Sequence, residues 1–377
     1  MKMKLMMFVF LAGASVALCS CRKEWVPVPE SSVVNQGTGT QTPEESETWT
    51  EINGNVSMTE TKVVEQGENT FMKGYWPDGK LIPVKKDNSW QLFWGESTDV
   101  LTVASTPFPE DHISDLTQEN TVWGKEFDRT EGFNDGGSWF ISVFPLDEPG
   151  KYVGFFHAES HWDESGIAHK SIGVVYSDDY GATWHDPKPI ITDKNPKPAE
   201  PDWTGLGDGC VIWDEANSRY ICYYQGKVST GANALCMASS SDRTGASGTW
   251  KKWDGSDFTL PAYDSSTDLG GENIPVSGLL DVPGANPSVM WNDFLGQWVM
   301  VYASWTKRIY MSFSDDAIAW SAPQAIVGDA DNPAGYPNLI SGEGDLKGGE
   351  TVRLYWANNQ NTMGIRDLAY AKIRFRK

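Results

Sequence analysis

From residue 81 onward the chain is a succession of short stretches in which apolar and polar positions alternate, punctuated by Gly, Asn, Asp and Pro. Alternation with period two is the signature of half-buried β-strands, and the punctuating residues are those that turns require. Paired stretches read as hairpins: "LIPVKKDNSWQLFWGESTDVLTVAS", "GSWFISVFPLDEPGKYVGFFHAES", "GCVIWDEANSRYICYYQG", "NPSVMWNDFLGQWVMVYAS" and "YPNLISGEGDLKGGETVRLYWA". Three of them are followed by a further apolar strand, "SIGVVYS", "ALCMASS" or "RIYMSFS". No segment has a convincing 3.6-residue period; "EDHISDLTQENTV" is at most one short helical turn. The expectation is an all-β protein.

Each of those three strands leads into a related turn. Ser177-Asp178-Asp179-Tyr180-Gly181-Ala182-Thr183-Trp184 fits S-x-D-x-G-x-T-W at every fixed position. Weaker relatives run from Ser240 through Asp242 to Trp250 and from Ser314 through Asp316 to Trp320. In such a turn the Asp accepts backbone N–H groups and the Gly supplies a positive φ. The tryptophans lie 66 and 70 residues apart, and a fixed period of this size marks a repeat architecture. The motif resembles the Asp-box of sialidase-type β-propellers, which is structural and not catalytic. At that period the region from 65 to 377 accommodates five repeats, so the expected fold is a five-bladed β-propeller of four-stranded blades, over residues 61–377.

Composition sharpens this picture. Of 377 residues, 40% are hydrophobic, enough for a sizeable core, and 18 are Trp. Asp plus Glu number 51 against 30 Lys plus Arg, a net charge of −21. Nucleic-acid binding through phosphates needs clustered cations and is not expected. The N-terminus has Lys2 and Lys4 before an apolar run from Leu5 to Leu18, too short to span a bilayer and suited to a secretory signal (1–20). The sequence Leu18-Cys19-Ser20-Cys21 resembles the bacterial lipoprotein box, which implies lipid attachment at Cys21. The charged residues after it resemble the surface-export signals of gut Bacteroidetes lipoproteins. Residues 21–60, rich in Pro, Ser, Thr, Gly and Glu, read as a flexible linker. The implied location is the outer membrane or cell surface, with the lipid as sole membrane contact and the protein monomeric. Cys210 and Cys222 flank a hairpin in which pairing Ile212 with Tyr220 would set them opposite; a disulfide and two buried thiols are both open.

The five-blade count, the Trp-rich strands, the S-x-D turns and "YPNLIS" are together similar to the five-bladed glycosidase superfamily. It includes family 43 arabinofuranosidases and xylosidases, the family 32 and 117 enzymes, and family 130 mannoside phosphorylases. The resemblance implies cleavage of a poly- or oligosaccharide by acid/base catalysis in an axial pocket, with no required cofactor. A glycan-binding lipoprotein without turnover is the alternative. A sialidase would need an arginine cluster that the nine arginines do not evidently form.

Residues at blade starts would face that pocket. Asp135 and Asp208, each followed by Gly, are candidate catalytic carboxylates, and Asp-Gly is equally a common turn pair. Four of the five histidines lie between 157 and 185. On a strand, His157, Glu159 and His161 share one face. That face suits a general acid at Glu159, a metal ion held by His157, Glu159 and His161, or hydrogen bonding to sugar hydroxyls. Glu272 is a rival acid. Trp139, Trp162, Trp203, Trp291 and Trp305, with Asn286, are candidate sugar contacts.

Overall fold

The computed structural model describes residues 47–64, 78–86, 89–96, 100–106, 121–123, 128–162, 166–279, 282–329, 331–341, 347–358 and 367–377. The lipidation candidate Cys21 and most of "EDHISDLTQENTV" lie outside them. Every regular element described is a strand. In chain order these begin with β1 (Trp49–Asn53), β2 (Val56–Thr59), β3 (Lys62–Val64), β4 (Ile82–Lys86), β5 (Ser89–Glu96), β6 (Val100–Thr106) and β7 (Thr121–Trp123). There follow β8 (Gly137–Pro145), β9 (Tyr152–His161), β10 (Ala168–Ser177), β11 (His185–Ile191), β12 (Thr204–Asp214), β13 (Arg219–Lys227), β14 (Asn233–Ser240), β15 (Lys251–Trp253) and β16 (Phe258–Pro261). The last group is β17 (Gly284–Asn292), β18 (Gln297–Ser304), β19 (Ile309–Ser314), β20 (Gln324–Val327), β21 (Ala334–Ser341), β22 (Lys347–Gly348), β23 (Thr351–Asn358) and β24 (Asp367–Phe375).

The strands form antiparallel meanders: β4 to β7, β8 to β11, β12 to β16, and β17 to β20. The second and third are joined by a short parallel pairing of His169 with Thr204 and Lys170 with Gly205. The last sheet runs β21-β23-β24-β2-β1, with β3 also on β24. Val56 therefore pairs with Phe375, and the two ends of the described chain share one sheet. This corrects the expected linker boundary, because residues from Trp49 are already in the sheet. The opening strands of successive meanders touch in order, β4 on β8, β8 on β12, β12 on β17 and β17 on β21. Leu81, just before β4, donates its N–H to Asn338 Oδ1 of β21 at 3.0 Å, so the succession returns to its start.

The Trp-bearing turns are the joints between meanders. Asp179 accepts the Thr183 N–H at 2.8 Å and the Thr183 hydroxyl at 2.6 Å, while Gly181 N–H bonds Ser177 Oγ. The turn sets Trp184 against Phe140 at 4.7 Å and reaches back to Phe93 on β5 at 6.1 Å. Trp250 likewise meets Phe155 on β9, and Trp320 meets Tyr223 on β13. Each Trp thus packs on an aromatic ring from the second strand of the preceding meander. Such edge-to-face pairs add about 0.5–1.5 kcal/mol beyond burial.

The hairpin of β12 and β13 corrects one expected register. Ile212 pairs with Ile221, and Trp213 with Tyr220, because the turn spans Glu215–Ser218 with Ser218 at φ 50°. A one-residue slip moves a side chain to the other face of its strand. Cys210 therefore faces Tyr223, and Cys210, Cys222 and Cys236 are buried free thiols.

Candidate active site

The opening strands carry the same irregularity near their N-terminal ends. The ladder slips between Phe140 and Ser142 in β8, Gly207 and Cys210 in β12, Ala285 and Ser288 in β17, and Gly335 and Asn338 in β21. Within the last three slips Asp208, Asn286 and Tyr336 adopt the left-handed region, at φ 49°, 55° and 49°. A bulge leaves one residue unpaired and re-aims its side chain. Asp208, Asn286 and Tyr336, with Trp139 and Ile141, consequently line one cavity of about 70 Å³, together with Asp78, Lys80, His157 and Glu159.

Two chains of hydrogen bonds organise it. The Asp208 backbone N–H donates to His157 Nδ1 at 3.0 Å. A backbone amide can only donate, so Nδ1 carries the lone pair and the proton of neutral His157 sits on Nε2. That nitrogen faces Glu159 Oε1 at 3.1 Å, and His161 Nε2 faces Oε2 at 2.8 Å. Burial alone would raise the pKa of Glu159, but the hydrogen bonds from both imidazoles, that of His157 first, outweigh it and hold the pKa below the usual value. Gly207 makes this close approach feasible: an added Cβ would stand 2.2 Å from His157 Nδ1.

The second chain starts at Lys170, whose ammonium lies 3.1 Å from Asp208 Oδ2 and 3.3 Å from Gln225 Oε1. For Asp208 also, burial pushes the pKa up, and the ammonium groups of Lys170 first and Lys80 after it bring it below the ordinary value. Lys80 is 4% exposed and donates to the carbonyls of Asn286 at 3.0 Å and Pro337 at 3.1 Å. Its burial pushes the pKa down to about 8, against the opposing pull of Cys210 and Asp208. Beside Lys170, 5.9 Å from its ammonium, is the ring of Trp203, which is 53% exposed.

The sequence candidates divide accordingly. His157, Glu159, Asp208, Trp139 and Asn286 line the cavity, and His161 supports Glu159 from beside it. Asp135 does not line it. It precedes β8 in a turn, where Oδ2 accepts the Gly132 N–H at 2.8 Å and its carbonyl accepts Arg129 Nη1. Asp208 is the fifth residue of β12, so the two Asp-Gly pairs are not equivalent positions. Glu272 pairs with Lys194 at 2.7 Å on the surface, Trp162 donates to Pro198 O under the Lys197 ammonium, and Trp305 is 52% exposed. None of these three lines the cavity. The expected metal set is also corrected, because both His Nε2 atoms point at the Glu159 oxygens instead of converging with them. Among the described residues no group of three or more His, Cys, Asp or Glu is arranged to hold a metal ion. Sequence reasoning missed Asp78, Lys80, Lys170 and Tyr336; the pair Asp78-Gly79 just before an apolar strand was the available signal for the first.

No known family profile and no curated protein matches the chain. Among solved structures it is similar to a thermostable family-43 glycoside hydrolase, at 11% identity over 79% of this chain and 92% of that one, TM-score 0.47. It is similar to the GH43_1 enzyme from Xanthomonas citri complexed with xylose, at 12% identity over 78% and 86%, TM-score 0.47. It is also similar to an N-acetylgalactosamine deacetylase from F. plautii in complex with blood group B trisaccharide, at 11% identity over 82% and 95%, TM-score 0.41.

Proposed function

We propose that this protein is a glycoside hydrolase built on a five-bladed β-propeller, anchored to the outer membrane by a lipid on Cys21. The observation that carries the reading is the convergence of three carboxylates, Asp78, Glu159 and Asp208, on one cavity at the ends of the opening strands. Glycoside cleavage needs one carboxyl that accepts a proton or attacks, and one that donates to the leaving oxygen. Asp208, kept ionised by Lys170, suits the accepting role. Glu159 suits neither role: both of its oxygens are engaged, and a carboxyl held ionised is a poor acid. Its task is to fix the His157 tautomer and ring. Asp78 is left as the donor. Trp139, Asn286 and Tyr336 offer an indole, an amide and a phenol for the sugar, and Trp203 offers an exposed stacking face near the mouth. Among the described residues no arginine lines this cavity, which disfavours the sialidase alternative.

The test is a screen of purified protein against aryl glycosides and polysaccharides for product release. On any substrate cleaved, Asp208→Asn and Asp78→Asn each lower turnover by about 10²–10⁴-fold, with sugar binding retained. Full turnover in both variants would overturn the assignment. A second reading, glycan binding without turnover, has in its favour that Asp208 and Glu159 are both engaged by cations or imidazoles. Glycan binding with no product released across the screen would select it.

A further inference from the structure

The opening strands that begin at the carboxylate cavity end at another. This second cavity has a volume of about 660 Å³ and is lined by the far ends of β8, β12 and β17, by the hairpin of β4 and β5, and by the turn after β19. Asp208 and Trp213 belong to the same strand, five residues apart, which at about 3.3 Å per residue separates the two cavities by roughly 17 Å. Along β12 the intervening Cys210, Val211 and Ile212 are buried.

Its lining combines indole faces with charged groups. Trp213, Trp291 and Trp298 are half-buried. Trp291 and Trp298 stand edge to face across β17 and β18 at 5.5 Å and 72°, forming a corner, and Trp291 is oriented by a 2.8 Å hydrogen bond from Nε1 to Asp293. Trp213 carries the Arg243 guanidinium on its ring at 4.6 Å. Large aromatic surface left partly exposed in a concavity marks a binding site more often than a defect of packing. The lining carries three basic and four acidic side chains, Lys347 paired with Glu215 at 3.5 Å, so the site has no field of one sign to attract an ion. A purely apolar ligand would take those charges out of water with no new polar contact in exchange.

We infer that this second cavity binds a short neutral oligosaccharide, whose apolar C–H faces stack on the Trp291–Trp298 corner and whose hydroxyls meet the charged rim, the Arg243 guanidinium on Trp213 included. The volume lies within the about 300–1,000 Å³ typical of small-ligand sites. It is a holding site at the opposite end of the strands from the proposed cleavage site, and it takes no part in bond breaking.

The experiment uses the Asp208→Asn protein, so that binding is read without turnover, against a panel of neutral gluco-, xylo-, manno- and arabino-oligosaccharides by calorimetry. At least one binds, and both Trp291→Ala and Ala216→Arg, which places a bulky side chain from an exposed turn into the cavity, weaken it by about tenfold or more. Ala216→Arg keeps the test valid where Trp291→Ala fails to fold. No binding across the panel, or binding untouched by both substitutions, overturns the inference. Absence of glycosidase activity in the wild type bears only on the first cavity.

Discussion

Gly207→Ala is the sharpest probe of the carboxylate cavity because it adds one methyl group and alters no charge. The added Cβ would lie 2.2 Å from His157 Nδ1 and 2.5 Å from Cε1. Ordinary contact is about 3.5 Å or more, so the imidazole must retreat by more than 1 Å. It is 6% exposed with the Trp139 ring 5.6 Å away, and the open space beside it is the cavity of about 70 Å³ that it lines. The retreat breaks the bond from the Asp208 amide and stretches the one to Glu159. A neutral hydrogen bond contributes about 1 kcal/mol and one to a carboxylate about 1.5–3 kcal/mol, so the loss is about 2–4 kcal/mol. With an unfolding entropy of about 2.1 cal/mol/K per residue over roughly 330 residues, melting falls by about 3–6 °C. Calorimetric melting and ¹⁵N chemical shifts of the His157 ring read the two effects. Gly349→Ala, where an added Cβ meets nothing within 4 Å, is the matched control and changes neither. Unchanged melting together with an unchanged His157 Nδ1 resonance in Gly207→Ala would refute the bonding scheme.

Glu159→Gln removes a carboxylate that is ionised in the folded state at neutral pH. Because its folded pKa lies below the ordinary 4.5, its contribution is fully present above that value and is lost as pH falls through the folded pKa. Urea unfolding across pH 3–7 therefore shows a gap between wild type and variant that is constant above about 5 and narrows as pH falls below 4.5; a gap independent of pH contradicts it. Asp179→Ala orphans the Thr183 amide and lowers stability by about 1–3 kcal/mol while sparing sugar binding; intact stability with lost binding would contradict its place in a turn joint. Cys21→Ala moves the protein from the membrane to the soluble fraction, and retention after a salt wash would sink the proposed anchor.

The sequence showed most where the signal is local. Period two placed His157, Glu159 and His161 on one face, and the turns at Trp184, Trp250 and Trp320 stand where the motif sets them. What it hid depends on distant partners. β1 and β2 read as linker because "WTEIN" is polar and the strand that ties the pair into the sheet, β24 alongside β2, lies more than 300 residues away. Lys80 and Lys170 looked like ordinary surface lysines; only the fold brings the carbonyls of Asn286 and Pro337 to one and Asp208 to the other. Asp135 misled because Asp-Gly is shared by a turn before a strand and a bulge within one, and local sequence does not separate the two.

The bulges explain why buried polar groups gather at this end of the strands. Slipping the ladder removes backbone groups from their partners, and a buried amide or carbonyl left alone costs about 1–3 kcal/mol. The Asn286 and Pro337 carbonyls, each inside a slip, are both taken by the Lys80 ammonium, and the Asp208 amide is taken by His157. Those two side chains in turn need company: His157 has Glu159, and the charge of Lys80 is favoured by Asp208. Tyr336, at φ 49°, holds a conformation that is rare for a bulky residue and strained by about 1–3 kcal/mol, which persists only where surroundings enforce it. The irregularity that turns Asp208, Asn286 and Tyr336 into the cavity thus also dictates that a lysine, a histidine and a glutamate be buried beside them. Lys80 and His157 are therefore explained by the carbonyls and the amide that the slips release, and Glu159 by His157.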